Sequence, residues 1–235
     1  MLSFTLAGKN SYKDFGIYMT KRPIFPSPKR RVQYLQVPGR NGSVIYDEKV
    51  YEDASILVSC TAKGPDIQQR LNSIKAWLYE NGENELVFSF EQDKKYLVQV
   101  VNSIDFTTIL NQVATFPIVF NCKPFKYEVA PIRYSLIDTG VNVVNQGNVV
   151  SEPVIEVVGE ADVTLRVGKQ EVLLKGIAGS IILDSVLQDA YDSEGNNLNH
   201  QMMGEFIRFK TGDNHIEWVG NVSEIIIKPN WRWLV

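Results

Sequence analysis

The sequence predicts a mainly β protein in two parts, an α+β domain followed by an antiparallel β-sandwich or jelly roll. Three observations carry this. β-branched and aromatic runs fill most of the 235 residues. A single stretch between Pro65 and Gly82 has helical periodicity. From about Ile132 onward, short strand-like runs alternate with turn signals at regular spacing, and no helical pattern intervenes.

The first element with a readable mechanism is a hairpin. Arg31-Val32-Gln33-Tyr34-Leu35-Gln36-Val37 leads into Pro38-Gly39-Arg40-Asn41-Gly42, and Ser43-Val44-Ile45-Tyr46 leads out. Pro38 fixes its own φ and keeps Val37 extended. Gly39 and Asn41-Gly42 supply the left-handed positions of a tight reversal. The result is a rigid tip carrying one cation, with no nucleophile and no phosphate cradle. Such a tip loses little entropy on docking, which makes Arg40, Asn41 and Gly42 candidate oligomer-interface residues.

Next comes the helix. Asp66 is placed as N-cap with Gln69 three residues on, and Ile67, Leu71, Ile74 and Leu78 recur on one face, widened by Trp77. Asn81-Gly82 stops it, with Gly82 suited to the left-handed position past the end. Three strands follow, Leu86 to Phe90, Tyr96 to Val101 and Thr115 to Phe120, with Asp93-Lys94-Lys95 read as the turn between the first two.

Pro124 and Pro131 bracket a predicted linker at about 124–131, which divides the chain into domains 1–130 and 131–235. In the second half the expected strands are Val154 to Val158, Val163 to Val167, Val172 to Leu174, Ser180 to Leu183, Phe206 to Phe209, His215 to Trp218 and Glu224 to Ile227. Gly159, Gly168, Gly176, Asp192 to Gly195, Gly212-Asp213-Asn214 and Gly220-Asn221 are read as the turns between them.

Composition argues against several function classes. A net charge of −3 gives no nucleic-acid footprint, and no apolar run is long enough to span a bilayer. Met1 to Leu6 shows no secretory signal. Cys60 and Cys122 each sit in an apolar run and are expected to be buried, reduced thiols. His200 and His215 lack metal-ligand spacing. Carboxylates are scattered through turns, densest at Asp47-Glu48 and Glu52-Asp53. There is no nucleophile elbow or Cys/His signature. The sequence therefore predicts no enzyme, no metal and no cofactor. Asp192 to Asn197 resembles a calcium loop faintly but lacks the alternating ligands and terminal Glu, so a hairpin turn is expected.

Two segments have competing readings. Lys21 to Arg31 holds five cations and three prolines. It reads as a solvated loop, as a contact for nucleic-acid phosphates, or as a surface that meets an acidic neighbouring subunit; the slightly acidic chain favours the neighbour over the phosphates. Trp231 and Trp233, two apart on a terminal strand, share one face. They either close a core, the commoner outcome, or form a sugar-stacking platform.

Taken together, these motifs resemble the distal tail (Dit) proteins of long-tailed, non-contractile bacteriophages. The resemblance rests on the 37–43 turn, the helix ending in Trp77-Leu78, Phe120-Asn121-Cys122-Lys123-Pro124-Phe125, Asn145-Gln146-Gly147-Asn148 followed by Pro153 to Gly159, Ile182-Leu183-Asp184, Gly212 to Ile216 and Pro229-Asn230-Trp231-Arg232. It implies a structural virion protein, made in the bacterial cytoplasm and placed at the tail tip or baseplate. The N-terminal domain would build a homo-hexameric ring, and the C-terminal domain would be a galectin-like sandwich. The implied partners are further copies of the chain, the tail tube protein, a tail-associated hub or fibre protein and receptor-binding parts, with no membrane or sequence-specific nucleic acid. The alternative is a carbohydrate-binding module or adhesin acting through Trp231 and Trp233.

Overall fold

The computed structural model describes residues 1–235 apart from Asp66, Glu80, Asn81, Asp105, Leu110 and Asn111, together with the side chains of Gln68, Thr108 and Ile109. The chain divides into two compact units, Met1–Val129 with Leu234–Val235, and Ala130–Trp233.

In the first unit the elements are β1 (Phe4–Leu6), β2 (Lys9–Asn10), β3 (Ile17–Met19), β4 (Arg30–Gln36), β5 (Ser43–Tyr51), β6 (Ala54–Lys63), α1 (Ile67–Leu78), β7 (Asn84–Phe88), β8 (Glu91–Val100), β9 (Thr107–Ile109) and β10 (Val113–Glu128). The main sheet runs β2-β1-β7-β8-β10-β6-β3, with β9 also on β10, while β4 and β5 form a separate two-stranded sheet. Strict alternation in β6 and β10 sends Ile56, Val58, Cys60, Phe116, Ile118 and Phe120 into the core. The helical stripe read from the sequence, Ile67, Leu71, Ile74, Trp77 and Leu78, meets them there. Trp77 lies between Phe4 and Phe15, stacked at 5.7 and 4.2 Å, and its Nε1 donates to the Leu6 carbonyl at 3.1 Å. Arg70 anchors the helix by donating to the carbonyls of Lys63 and Phe15. The N-cap Asp66 and the stop residue Asn81 lie outside the described residues; Gly82 has φ +89°.

Two expectations in this unit are corrected. Asp93-Lys94-Lys95 is not a turn but part of β8, with Lys94 opposite Glu128 and Lys95 opposite Tyr127. The reversal lies at Ser89-Phe90, where Phe88 pairs with Glu91. Charged residues persist in β8 because Lys95 and Lys126 reach the carboxylates of Glu85 and Glu91. Pro124 is no linker residue either. β10 continues through it to Glu128, with a register shift between Cys122 and Lys126 that accommodates a residue without an N–H. The Pro124 carbonyl accepts the Val235 N–H at 3.0 Å.

The second unit holds β11 (Tyr134–Leu136), β12 (Val141–Asn145), β13 (Val154–Val167), β14 (Gln170–Asp184), β15 (Asp189–Tyr191), a 3-10 turn (Asn199–Gln201), β16 (Met202–Gly204) and β17 (Gly212–Lys228); β18 (Arg232–Leu234) follows and ends in the first unit. Its sheet runs β11-β17-β13-β14-β15, with β12 also on β17 and β16 also on β14. Seven short strands were expected here, and six of them prove to be halves of three long ones. β13, β14 and β17 each run through an irregularity, with register shifts at 161–163 against β14 and at 158–159 and 160–164 against β17. β13 lies between the other two; β17 pairs through its second half with β11 and through its first with β12, and β14 through its second half with β15 and through its first with β16. Residues from both halves, among them Val157, Leu165, Leu174, Ile181, Ile216 and Ile225, form one core. The sheet is thus folded onto itself to make the sandwich.

Gly159, Gly176 and Gly220-Asn221 therefore lie within these strands and are not hairpin turns. Gly159 and Gly220 sit where backbones approach closely: a Cβ on Gly159 would lie 2.3 Å from the Asn221 carbonyl oxygen, and one on Gly220 2.6 Å from that of Asp162. Gly212-Asp213-Asn214 likewise opens β17. Phe206 to Phe209 forms no ladder beyond one bridge from Phe209 to Ser151, although Ile207 and Phe209 are buried.

Candidate assembly surfaces

The predicted hairpin is present as β4 and β5, paired Gln36 to Ser43, Leu35 to Val44, Tyr34 to Ile45 and Gln33 to Tyr46. At its tip the Arg40 N–H donates to the Val37 carbonyl at 3.1 Å and Gly39 has φ +78°, a type II turn with Pro38 and Gly39 at its centre. Gly42, at φ +79°, returns the chain to β5. Arg40, Asn41 and Gly42 are all exposed.

The more informative residues are ones the sequence reading passed over. Tyr34, Leu35, Ile45 and Tyr46 lie along the hairpin with Tyr34 68% and Ile45 63% exposed. Apolar residues at consecutive positions point to opposite faces of a strand. Both faces of the two-stranded sheet are therefore apolar and uncovered, and both outer edges are unpaired in this sheet. The signal in the sequence was the absence of one-sided alternation in 31–37 and 43–46. A free-standing two-stranded sheet is marginal in water, and exposed apolar faces on one make it a candidate interaction surface.

Ion pairs stiffen the base of the arm. Arg30 reaches Asp47 at 2.6 Å, Arg31 reaches Glu48 at 3.6 Å, and Lys29 reaches Glu52 at 3.9 Å. The Lys49 N–H, at 2.9 Å, and then the Arg30 guanidinium hold the Asp47 carboxyl below its usual range. In the same segment Arg22 lies over the Phe90 ring at 4.8 Å. Four of the five cations in 21–31 thus have partners within the chain.

The carboxylate cluster at 47–53 is engaged as well. Asp53 accepts from Asn121 at 2.9 Å and meets Lys123 at 3.4 Å. In the 192–197 loop, Asp192 accepts from the N–H groups of Glu194 and Asn196 and from the Asn196 amide, which hold its pKa low and use it up as a turn staple. Among the described residues no cluster of His, Cys, Asp and Glu is arranged to hold a metal. His215 contacts Asn142 and Glu217. Cys60 and Cys122 are buried, and burial pushes both thiols up to about 12.

Trp231 and Trp233 do not form a shared platform. Trp231 is 2% exposed, with Phe209 at 5.7 Å and Tyr134 at 6.5 Å between ring centres, and it belongs to the sandwich core. Trp233 is partly buried against the same core. A buried indole offers no face to a sugar, so the stacking role is corrected to core closure.

Several motifs behind the resemblance prove to be pins of the fold. Buried Asn145 donates to the carbonyls of Val149 and Phe209 and accepts from Gly147. Buried Asn214 donates to the carbonyls of Val143, Lys210 and Gly212 and accepts from Lys210. Asp184 accepts from the N–H groups of Val186 and Leu187.

Residues 12–122, which span the arm and most of the first unit, match the family of phage tail protein RIFT-related domains. The chain also matches the crystal structure of the Dit protein of phage SPP1, described as a paradigm of the hub adsorption apparatus in phages that infect Gram-positive bacteria. That match covers 97% of each chain at a TM-score of 0.80 and 14% identity. No curated protein matches the sequence. Residues 12–122 thus resemble the phage tail protein RIFT-related domain, and the chain carries the fold of the SPP1 Dit protein over nearly its whole length.

Proposed function

We propose that the protein is the distal tail component of a phage or phage-like particle, a cyclic homo-hexamer built through its N-terminal unit. In this reading the ring is a structural hub of the virion. The tail tube protein stacks on one side, a tail-associated hub or fibre protein on the other, and receptor-binding parts attach around it.

The observation that carries the reading is the arm of β4 and β5, rigid at its tip and apolar on two uncovered faces. A ring needs a heterologous interface, in which one patch meets a different patch on the next copy. The arm supplies a patch of that kind, with Arg40, Asn41 and Gly42 at its end. Carboxylates engaged in ion pairs and turns, and thiols buried and neutral, speak for a structural role over catalysis.

Light scattering after size-exclusion chromatography, with negative-stain imaging, tests it. The expected particle is a ring with six times the 26.6 kDa chain mass. Arg40→Glu is expected to weaken the ring and leave the melting temperature unchanged. A wild-type chain that stays monomeric at every concentration would sink the proposal.

A further inference from the structure

We propose that a cleft in the first unit, lined by Tyr12, Lys13, Gly16, Tyr18 and Lys63, binds a sugar phosphomonoester. The inference stands apart from the ring reading and survives if that reading fails.

The cleft is built on a hydrogen-bonded loop beside β3. The side-chain oxygen of Asn10 accepts from the N–H groups of Tyr12 and Lys13 at 3.0 Å each, and the Gly16 N–H donates to the Tyr12 carbonyl at 2.9 Å. These bonds fix where Tyr12 and Lys13 leave the backbone, so little order remains to be gained on binding. Tyr18 lies on β3 between the buried Ile17 and Met19, and its ring therefore points away from the core. Lys63 ends β6 beside it, with Nζ 5.4 Å from the centre of that ring. With Met1 these residues surround a volume of about 630 Å³, the size of a small-molecule site.

The charge of the cleft is one-sided. Lys13 and Lys63 line it and no carboxylate does. Asp14, next in the chain, turns back to accept from the Asn10 N–H at 2.7 Å. A third cation backs the floor. Arg70 donates to the carbonyls of Phe15 and Lys63, and a Cβ on Gly16 would lie 2.2 Å from its Nη2. The glycine is what lets the guanidinium come so close. Among the described residues none of these three cations is in an ion pair.

The ligand class follows from this set. A carboxylate brings one negative charge. A phosphomonoester brings about two near pH 7, with three strong acceptor oxygens, and so answers two ammonium groups over a guanidinium better. A phosphate group alone leaves much of the cleft unfilled. The rest of the wall is the Tyr12 and Tyr18 side chains, each an apolar ring face with a hydroxyl at its end. A sugar ring matches that pattern, with C–H groups on its faces and hydroxyls around its edge.

Isothermal titration calorimetry of the whole chain with glucose 6-phosphate, glucose, inorganic phosphate and a hexaglutamate peptide tests this. Glucose 6-phosphate is expected to bind most tightly, inorganic phosphate more weakly, and glucose not at all. The double variant Lys13→Gln, Lys63→Gln is expected to weaken glucose 6-phosphate by about tenfold or more and to keep the wild-type melt, since both side chains are exposed. Tyr12→Ala is expected to bring glucose 6-phosphate down to the level of inorganic phosphate. No saturable binding of glucose 6-phosphate, or binding that the double lysine variant leaves unchanged, overturns the inference. Equal or tighter binding of the peptide also overturns it, because the cleft would then be a seat for an acidic protein segment. Glucose binding as tightly as its phosphate overturns it as well, because the cations would then play no part.

Discussion

At the scale of single residues, the side chains that looked most like chemistry turn out to hold the fold. Trp231 is the sharpest case. Its removal empties a core position between Phe209 and Tyr134, so Trp231→Ala is expected to cost about 3–5 kcal/mol and lower the melting temperature markedly. Trp233→Ala, at a half-buried position, is expected to cost less. The melts of the two variants check this, and a near-wild-type melt for Trp231→Ala would return the indole to the surface. The thiols give a pH prediction. Cys60 and Cys122 have an ordinary value of 9.0 and stand at about 12 in the fold. Below pH 9 both are neutral folded or unfolded and add no pH dependence. Between 9 and 12 the unfolded chain ionises and the folded one does not, so stability falls as pH rises. Tyr96, raised by burial and by its bond to Glu91, acts in the same direction. Urea melts between pH 8 and 11 are expected to show this decline, and Cys60→Ala to flatten it. Asn145, Asn214 and Asp184 were legible as family motifs but not as pins, because a buried amide and a solvated turn amide share one sequence signature.

At the scale of elements, local patterns were readable wherever one face is buried. The helix from Ile67 to Leu78 and the alternating strands β6 and β10 follow from period alone. The long strands of the sandwich did not, because a bulge and a hairpin turn draw on the same residues, Gly and Asn, and only the pairing partner distinguishes them. The bends at Gly159 and Gly220 make this testable. Gly220→Ala would place a Cβ against the Asp162 carbonyl at a φ of +128°, and Gly159→Ala would press on Asn221. Each is expected to destabilise by about 1–3 kcal/mol. Gly195→Ala, at φ +86° in an open turn, meets no neighbour and should cost about 1 kcal/mol from backbone strain alone. Chemical denaturation of the three variants ranks them. Equal losses would mean that the sandwich does not depend on the close crossings at its folds.

At the scale of the molecule, the sequence announced a change of texture near Cys122 to Phe125, and strand composition carried the fold class. The two exposed apolar faces of the arm were passed over because their signal is a missing alternation, and a strand without one-sided alternation reads equally as one buried on both faces. The contact of the last residues stayed hidden because no local pattern encodes it. Leu234–Val235 count with the first unit, Val235 packs against its core, and its N–H meets Pro124. Deleting these two residues is expected to lower the first transition of a two-step melt and leave the sandwich unchanged. The same contact has a meaning in time. On the ribosome, residues 1–129 emerge first but lack a piece of their own fold until the whole sandwich has been made. The first unit thus completes its fold only after the sandwich that follows it has been made. A chain whose synthesis has not yet reached Leu234 carries a first unit that lacks this contact.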